Sequence, residues 1–297
     1  MYKVEKITEV NIQKALKFVL PYEYACVNLV SELIRFQKFL KRGATGNKFE
    51  KIFLKGFLLL DLNENIFGVL IINAYGTVLH CFPKGLHNDF FRNVEIQEFK
   101  GVVQSVLGTG DMSFAFDAFL DNSFFIKPYR IQNYDLLSFT GENAKLIENT
   151  SPCDLDIKFS PCTVYDIEGL LPLQMDYEKT EVRSGYGHVE KRITRLYLKK
   201  LLETQQLYKA EYHNKIISKV NTNARGFYCN QIGGMYTMPE FRNLGVAHAL
   251  VKYMLLRPEN KKKTFSLYVK KYNIAAKRLY EKTGFKYITD FRISYFR

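Results

Sequence analysis

The chain has no apolar run long enough to cross a bilayer. Stretches such as GFLLLDL at 56–62 and GVLII at 68–72 fall far short of the roughly 20 residues that a membrane helix needs. The opening MYKVEKITEVNIQ lacks the apolar core of a secretory leader. Cysteine is sparse and badly spaced for cross-linking. Cys26, Cys81, Cys153, Cys162 and Cys229 form an odd set with no Cys-x-x-Cys pair, which argues against both a disulfide framework and a zinc site. Together these absences predict a soluble, cytoplasmic protein of a reducing compartment. Trp is missing altogether beside 24 Phe and 20 Tyr; we read this as compositional bias that excludes no mechanism. Negative charge is also in deficit, leaving a net +13 that suits an anionic ligand, a nucleic acid or a membrane surface. The densest basic run, Lys261 to Lys263, follows Arg257-Pro258 in a helix-to-strand turn and reads as a solvated loop. No nucleic-acid-binding motif accompanies it, so we expect neither nucleic acid nor membrane as a partner. At 297 residues, 47% of them hydrophobic, the chain is long enough for two domains of ordinary size.

The informative residues lie towards the C-terminus. In GGMYTMPEFRNLGVAHAL, residues 233–250, a β-rich run breaks at Met238-Pro239 and a helix opens through Arg242, Asn243, Leu244, Gly245, Val246 and Ala247. A helix start offers unpaired N–H groups and the positive end of its dipole, and Gly245 and Ala247 would let a pyrophosphate approach the main chain. Downstream, FSLYVKKYNIAAKRLYEKTGF at 265–285 reads as a strand followed by a helix ending at Gly284. The spacing Arg-x-x-Gly-x-Ala, followed by Asn273, Ala276, Tyr280, Gly284 and Phe285 in the register Asn-x-x-Ala-x-x-x-Tyr-x-x-x-Gly-Phe, resembles two motifs of the GNAT family of N-acetyltransferases. The resemblance covers residues 231–297. It implies a mixed α+β fold, a central twisted sheet flanked by helices, with acetyl-CoA as co-substrate.

Organisation along the chain suggests two halves joined near 137–154, where TGENAKLIENTSPCD interrupts the hydrophobic pattern. We expect domains at 1–145 and 152–297. The first half shows helical periodicity over 12–40 broken by Pro21, then three strands with turns at 63–65 and 73–76. A helix around 96–107 and a strand at MSFAFDAF, residues 112–119, should follow. The position for phosphates reads CFPKGLHND, without the motif, so this half resembles a degenerate GNAT-like domain in a tandem protein. In the second half, a strand at DIKFSPC precedes helices at 164–177 and 189–204, separated by the loop EVRSGYGHV. A hairpin then turns about His213-Asn214-Lys215, and FYCNQIGGMYTM makes the next strand. The paired Gly233 and Gly234 imply a bulge or a close backbone approach, or else relief of crowding in a twisted sheet. In the family this strand splays from its neighbour and its main chain pairs with the pantetheine arm. Carried over, Met235, Tyr236 and Thr237 make that contact.

Acyl transfer to an amine needs a free-base nucleophile, stabilisation of charge on the carbonyl oxygen, and a proton for the departing thiolate. Tyr280 is the candidate acid, since a phenol with a pKa near 10 lies roughly within two units of a thiol. Asn273 and Tyr280 share one helix face about 10 Å apart, which in the family points towards the coenzyme, although Asn273 would equally cap the helix and Tyr280 would equally pack beneath it. Glu178 and Glu181 border the expected acceptor site and are candidate bases; Glu211 and a water chain are alternatives. Asn221 and Asn223 stand where a strand meets a loop, to contact substrate or close a turn. Cys229 invites an acyl-cysteine route, but direct attack in a ternary complex is the better reading. His188 and His248 read as a loop residue and a helix-face residue. We therefore expect acetyl transfer to a primary amine of a small molecule or peptide, with a non-catalytic acyl-CoA sensor and a basic nucleic-acid-binding protein as the alternatives.

Overall fold

The computed structural model describes residues 3–41, 55–83, 102–140, 155–182 and 189–297. The chain divides into two compact units, residues 1–137 with 268–272 and 287–297, and residues 138–267 with 273–286. The boundary expected between 145 and 152 lies outside the described residues.

The first unit opens with β1 (Lys3–Lys6), α1 (Ile12–Val19), a 3-10 segment (Leu20–Ala25) and α2 (Val27–Leu40). Pro21 breaks the helical run as expected, in the first turn of the 3-10 segment, where its missing N–H has no partner to lose. An antiparallel meander follows: β2 (Lys55–Leu60), β3 (Ile66–Ile72) and β4 (Thr77–Cys81). Its turns close on side chains. Asp61 Oδ1 accepts from the Asn63 and Asn65 N–H groups at 2.9 and 2.8 Å, and Asn73 Oδ1 from those of Tyr75 and Thr77 at 2.9 and 3.0 Å. Alternate strand residues serve opposite faces. Leu58, Val69, Ile71 and Leu79 pack with α1 and α2, while Phe57, Leu59, Leu70, Ile72 and Val78 join a second core. A sheet buried on both faces accounts for the unbroken apolar runs in the sequence.

Two expectations fail here. Residues 84–101 of the sites expected for CFPKGLHND and the 96–107 helix lie outside the described residues, and Ser105–Thr109 is a strand, β5, parallel to β4. The expected strand at 112–119 lies within helix α3 (Gly110–Phe124). Its buried positions Ser113, Phe116, Asp117 and Leu120 recur at helical spacing, whereas Phe114 is 62% exposed; the aromatic residues at 114 and 116 imitated a strand. After β6 (Arg130–Phe139), the last strand of the chain, β12 (Lys286–Tyr295), runs antiparallel to β5. The strand order is β1-β2-β3-β4-β5-β12-β6. The Arg292 guanidinium and the Ser294 hydroxyl both meet Asp117 Oδ2, at 2.9 and 2.6 Å, tying β12 to α3.

In the second unit the order is β11-β10-β9-β8-β7, with β10 and β11 parallel and the other pairs antiparallel. These strands are β7 (Lys158–Pro161), β8 (Leu207–Tyr212), β9 (Lys215–Arg225), β10 (Cys229–Thr237) and β11 (Thr264–Lys270). Helices α4 (Ile167–Tyr177) and α5 (Lys191–Thr204) share a core with Leu207, Ile216 and Tyr236. Thr163 and Asp166 form a reciprocal capping box at the 3-10 turn ahead of α4. The β8–β9 hairpin turns through His213 and Asn214 at φ +47° and +61°, the left-handed pair that a two-residue hairpin demands. Helix α6 (Val246–Leu256) packs on β8, β9 and β10, and α7 (Ile274–Lys282) packs on α6. Both units are mixed sheets flanked by helices, the α+β class that was expected.

The helical register of α3 can be tested directly. Phe116→Ala should cost about 3–5 kcal/mol, and Phe114→Ala less than about 0.5 kcal/mol, in urea denaturation. In a strand the two rings would share a face, so equal losses would contradict the helix.

Candidate active site

The site is organised by a bulge in β10. Pairing with β9 steps from Gly233↔Asn221 to Tyr236↔Lys219, so three residues of β10 advance against two of β9. Gly234 has φ +58°, and a Cβ at Gly233 or Gly234 would collide with the Asn223 or Asn221 side chain. Both readings of the glycine pair therefore apply: the bulge needs left-handed backbone, and the neighbouring strand leaves no room for a side chain. Asn221 and Asn223 lie within β9 rather than at its junction with a loop. Asn221 is buried, and its Nδ2 donates to Asn223 Oδ1 at 2.9 Å and to the Thr222 carbonyl at 3.1 Å. On the other edge of β10, the parallel ladder runs from Cys229↔Thr264 to Ile232↔Leu267, just short of the bulge. Met235 falls between the two β9 pairs that flank the bulge. Tyr236 and Thr237 resume the ladder, opposite Lys219 and Ser218.

Beneath the bulge sits a residue that the sequence reading missed. Lys219 is fully buried, and its Nζ donates to the Gly234 carbonyl at 2.7 Å and lies 5.0 Å from the Tyr177 ring centroid. Burial lowers its pKa to about 7, with opposing contributions from Cys162 and Glu178. The available signal was one basic residue in the middle of the run IISKV, in a strand with no exposed face from Ile216 to Thr222. Tyr177 completes the arrangement. Burial raises its phenol pKa, as do Tyr197 and Tyr280, while a hydrogen bond from the Gly234 backbone opposes the rise.

Tyr280 is 6% exposed on α7, with its ring edge-on to Phe285 at 5.6 Å. Burial, and secondarily Glu181, raises its pKa above the ordinary phenol value, so it keeps its proton. Glu178 and Glu181 stand on a π-helical turn, Glu178–Val182, that extends α4. Glu178 is held at both oxygens, by Gln174 Nε2 at 3.0 Å and Thr194 Oγ1 at 3.3 Å. Its charge is felt at Lys219 and Tyr197, whereas that of Glu181 is felt at Tyr280 and Tyr177. Glu211 lies elsewhere, in a network where Lys209 Nζ meets Glu211 at 3.0 Å and Asp166 at 2.5 Å.

Beyond Thr237 the chain makes a 3-10 turn, Pro239–Phe241, and swings back through Arg242. Arg242 Nε donates to the Thr237 carbonyl at 3.0 Å and its guanidinium lies 5.4 Å from the Tyr236 ring centroid, so this side chain braces the loop. Asn243 has φ +63° and Gly245 φ +79°, and α6 starts at Val246 with no side-chain cap. A Cβ at Gly245 would have no atom within 4 Å, which leaves the helix start open to an incoming group. Asn273 caps α7, its Oδ1 accepting from the Ala276 N–H at 3.1 Å. Cys229 is 1% exposed, with Ser266 Oγ at 3.7 Å and the Asn230 carbonyl at 3.9 Å, a poor position for an acyl-cysteine. His188 lies outside the described residues, and His248 is buried on α6.

Residues 173–285 match the model of the Acetyltransferase (GNAT) family. Three solved structures share the fold over nearly the whole chain. A Drosophila protein is 13% identical with a TM-score of 0.64, the match covering 98% of each chain. A tandem GNAT protein from the clavulanic acid biosynthesis pathway is 9% identical with a TM-score of 0.58, covering 99% of this chain and 98% of that one. An acetyltransferase from the GNAT family from Colwellia psychrerythraea is 13% identical with a TM-score of 0.53, covering 99% and 100%. No curated protein sequence matches the chain.

Lys219 makes a pH-dependent contribution whose sign is fixed by its lowered pKa. An unfolded lysine titrates near 10.4, so between pH 7 and that value the unfolded chain holds a proton that the folded chain has shed. Stability should therefore rise with pH across this interval, by on the order of 1 kcal/mol per unit, and Lys219→Met should flatten that slope in denaturant titrations at pH 7.5 and 9.5. An unchanged slope in the variant would show that Lys219 is charged in the folded state.

Proposed function

We propose that the chain, whose residues 173–285 match the model of the Acetyltransferase (GNAT) family, is an acetyl-CoA-dependent N-acetyltransferase whose acceptor is a primary amine, attacked directly in a ternary complex. The observations that carry this reading are the bulge at Gly234 and, eleven residues on, the uncapped start of α6 at Gly245, where a Cβ would meet no atom within 4 Å. The first turn of a helix leaves its N–H groups without intrahelical partners and concentrates positive potential, which fits a pyrophosphate. Arg242, Asn243, Leu244, Gly245, Val246 and Ala247 would hold that group. The main chain of Met235, Tyr236 and Thr237 would pair with the pantetheine arm, Met235 most readily because it sits within the bulge. Asn273 would act by fixing the start of α7 and with it the position of Tyr280.

Acetyl-CoA supplies a thioester already activated towards amines, and the chain supplies orientation and proton control. Tyr280 remains protonated and donates a hydrogen bond to the sulfur as negative charge develops there. Its raised pKa resists complete proton transfer, a change from the simple match of phenol and thiol expected from sequence. Glu181, whose charge reaches Tyr280, is the better placed of the two glutamates to receive the amine proton, directly or through water. Glu178, held at both oxygens, braces the turn that carries it.

Two variants of Gly245 separate strain from charge. Gly245→Ala adds only the cost of a left-handed alanine, about 1 kcal/mol, and should leave coenzyme affinity within severalfold. Gly245→Glu places a carboxylate at the cradle and should weaken binding at least about 100-fold by calorimetry; equal affinities for the two variants would remove the phosphate site from α6. Tyr280→Phe should lower kcat by about 100-fold while coenzyme affinity stays within about threefold. Full turnover in that variant would reduce Tyr280 to a packing residue.

A further inference from the structure

Gly234 is held by side chains where strand pairing lapses. The pairing of β10 with β9 is interrupted between Gly233 and Tyr236, and the ladder with β11 runs only to Ile232, so Gly234 and Met235 lie past the end of one ladder and inside the break in the other. Both polar groups of Gly234 meet side chains instead. Its N–H donates to the Tyr177 hydroxyl, and its carbonyl accepts from Lys219 Nζ at 2.7 Å, with that amine 5.0 Å from the Tyr177 ring centroid. Lys219 starts opposite Tyr236 and is fully buried, so its side chain runs back along the strand, out of water, to reach the Gly234 carbonyl.

The consequence for Met235 follows from the peptide bond. The Gly234 carbonyl and the Met235 N–H belong to one planar group, and in a trans peptide they point in opposite directions; the described residues contain no cis peptide. A side chain that fixes the direction of the carbonyl therefore fixes that of the Met235 N–H, which is turned away from Lys219. Met235 is half-buried, whereas Gly234 and Tyr236 on either side of it are buried. A hydrogen bond weakens steeply as it departs from linearity, so an extended ligand laid along β10 depends on how that N–H is aimed. Tyr177 holds the preceding peptide, so removing the Lys219 amine would free one peptide plane and leave the other clamped.

We propose that Lys219 is a positioning residue for the coenzyme: by holding the Gly234 carbonyl it fixes the plane of the 234–235 peptide and aims the Met235 N–H at the pantetheine arm. The proposal rests on the acetyl-CoA reading of β10 and adds to it a residue that touches neither coenzyme nor amine.

The test compares two ligands by calorimetry on the full chain: acetyl-CoA, and adenosine 3′-phosphate 5′-diphosphate, which is the coenzyme without its pantetheine arm. Lys219→Met keeps the length of the side chain and removes the donor. It should weaken acetyl-CoA about tenfold, the worth of one well-aimed hydrogen bond, and leave the armless fragment within about twofold of wild type. Lys219→Arg keeps both reach and donor and should bind acetyl-CoA within about threefold of wild type. A merely structural role would weaken both ligands alike; that result, an unchanged acetyl-CoA affinity in Lys219→Met, or equal losses in Lys219→Met and Lys219→Arg would each overturn the proposal. Wild-type protein that binds acetyl-CoA no more tightly than the fragment would instead refute the pairing of β10 with the arm, and so the reading beneath the proposal. Should Lys219→Met fold poorly, nuclear magnetic resonance of the wild type decides: acetyl-CoA, and not the fragment, should shift the Lys219 side-chain resonances through the shared peptide, and their silence at saturation would overturn the proposal.

Discussion

The second unit is built around the need to satisfy one carbonyl. At Gly234 the main chain enters left-handed space, leaves the β9 ladder and points its oxygen into a buried region. An unpaired buried carbonyl costs as much as a lost hydrogen bond, and Gly234 falls between Gly233 and Tyr236, where the pairing with β9 is interrupted. Lys219 reaches it from β9, and to do so must leave water completely. The cost of that desolvation appears as the depressed pKa of the amine, and Tyr177 reduces it by offering a π face. Replacing the bulge by regular strand would return the carbonyl to the ladder and leave the lysine without a partner.

Burial governs the protons around this point. The phenols of Tyr177 and Tyr280 are raised and the amine of Lys219 is lowered, so each group is shifted towards its neutral form. Charge enters from the π-helical turn, where Glu178 is fixed by two hydrogen bonds and Glu181 reaches the two phenols. In the acetyl transfer proposed above, neutral donors beside a carboxylate would move a proton between the amine and the developing thiolate.

Much of this was visible in the residues. Pro21, the asparagine turns, the hairpin at His213-Asn214, the glycine pair and the spacing from Arg242 to Phe285 all act through local backbone chemistry, which sequence expresses directly. The errors arose where period competes with composition. Phe114 and Phe116 imitated strand alternation, whereas the decisive stripe through Ser113 and Asp117 was polar and did not register as core. Lys219 was invisible for a different reason: a buried lysine is explained only by the carbonyl it meets fifteen positions away, a partner that exists only once two strands pair with a bulge. The bracing of Glu178 by Thr194 likewise depends on helix packing.

The last strand carries a consequence for the order of assembly. Residues 287–297 belong to the first unit, where β12 lies beside β5 and Phe296 joins the core with Phe57 and Phe116, although the 273–286 segment just before them belongs to the second. A ribosome that has released the first 140 residues has therefore not delivered everything that the first unit needs. Until residues 287–297 are translated, one edge of β5 lacks β12 and the position of Phe296 in the aromatic core is unfilled. No single cut in the chain separates the two units cleanly, and any nascent intermediate must shield that edge for as long as the second half takes to emerge.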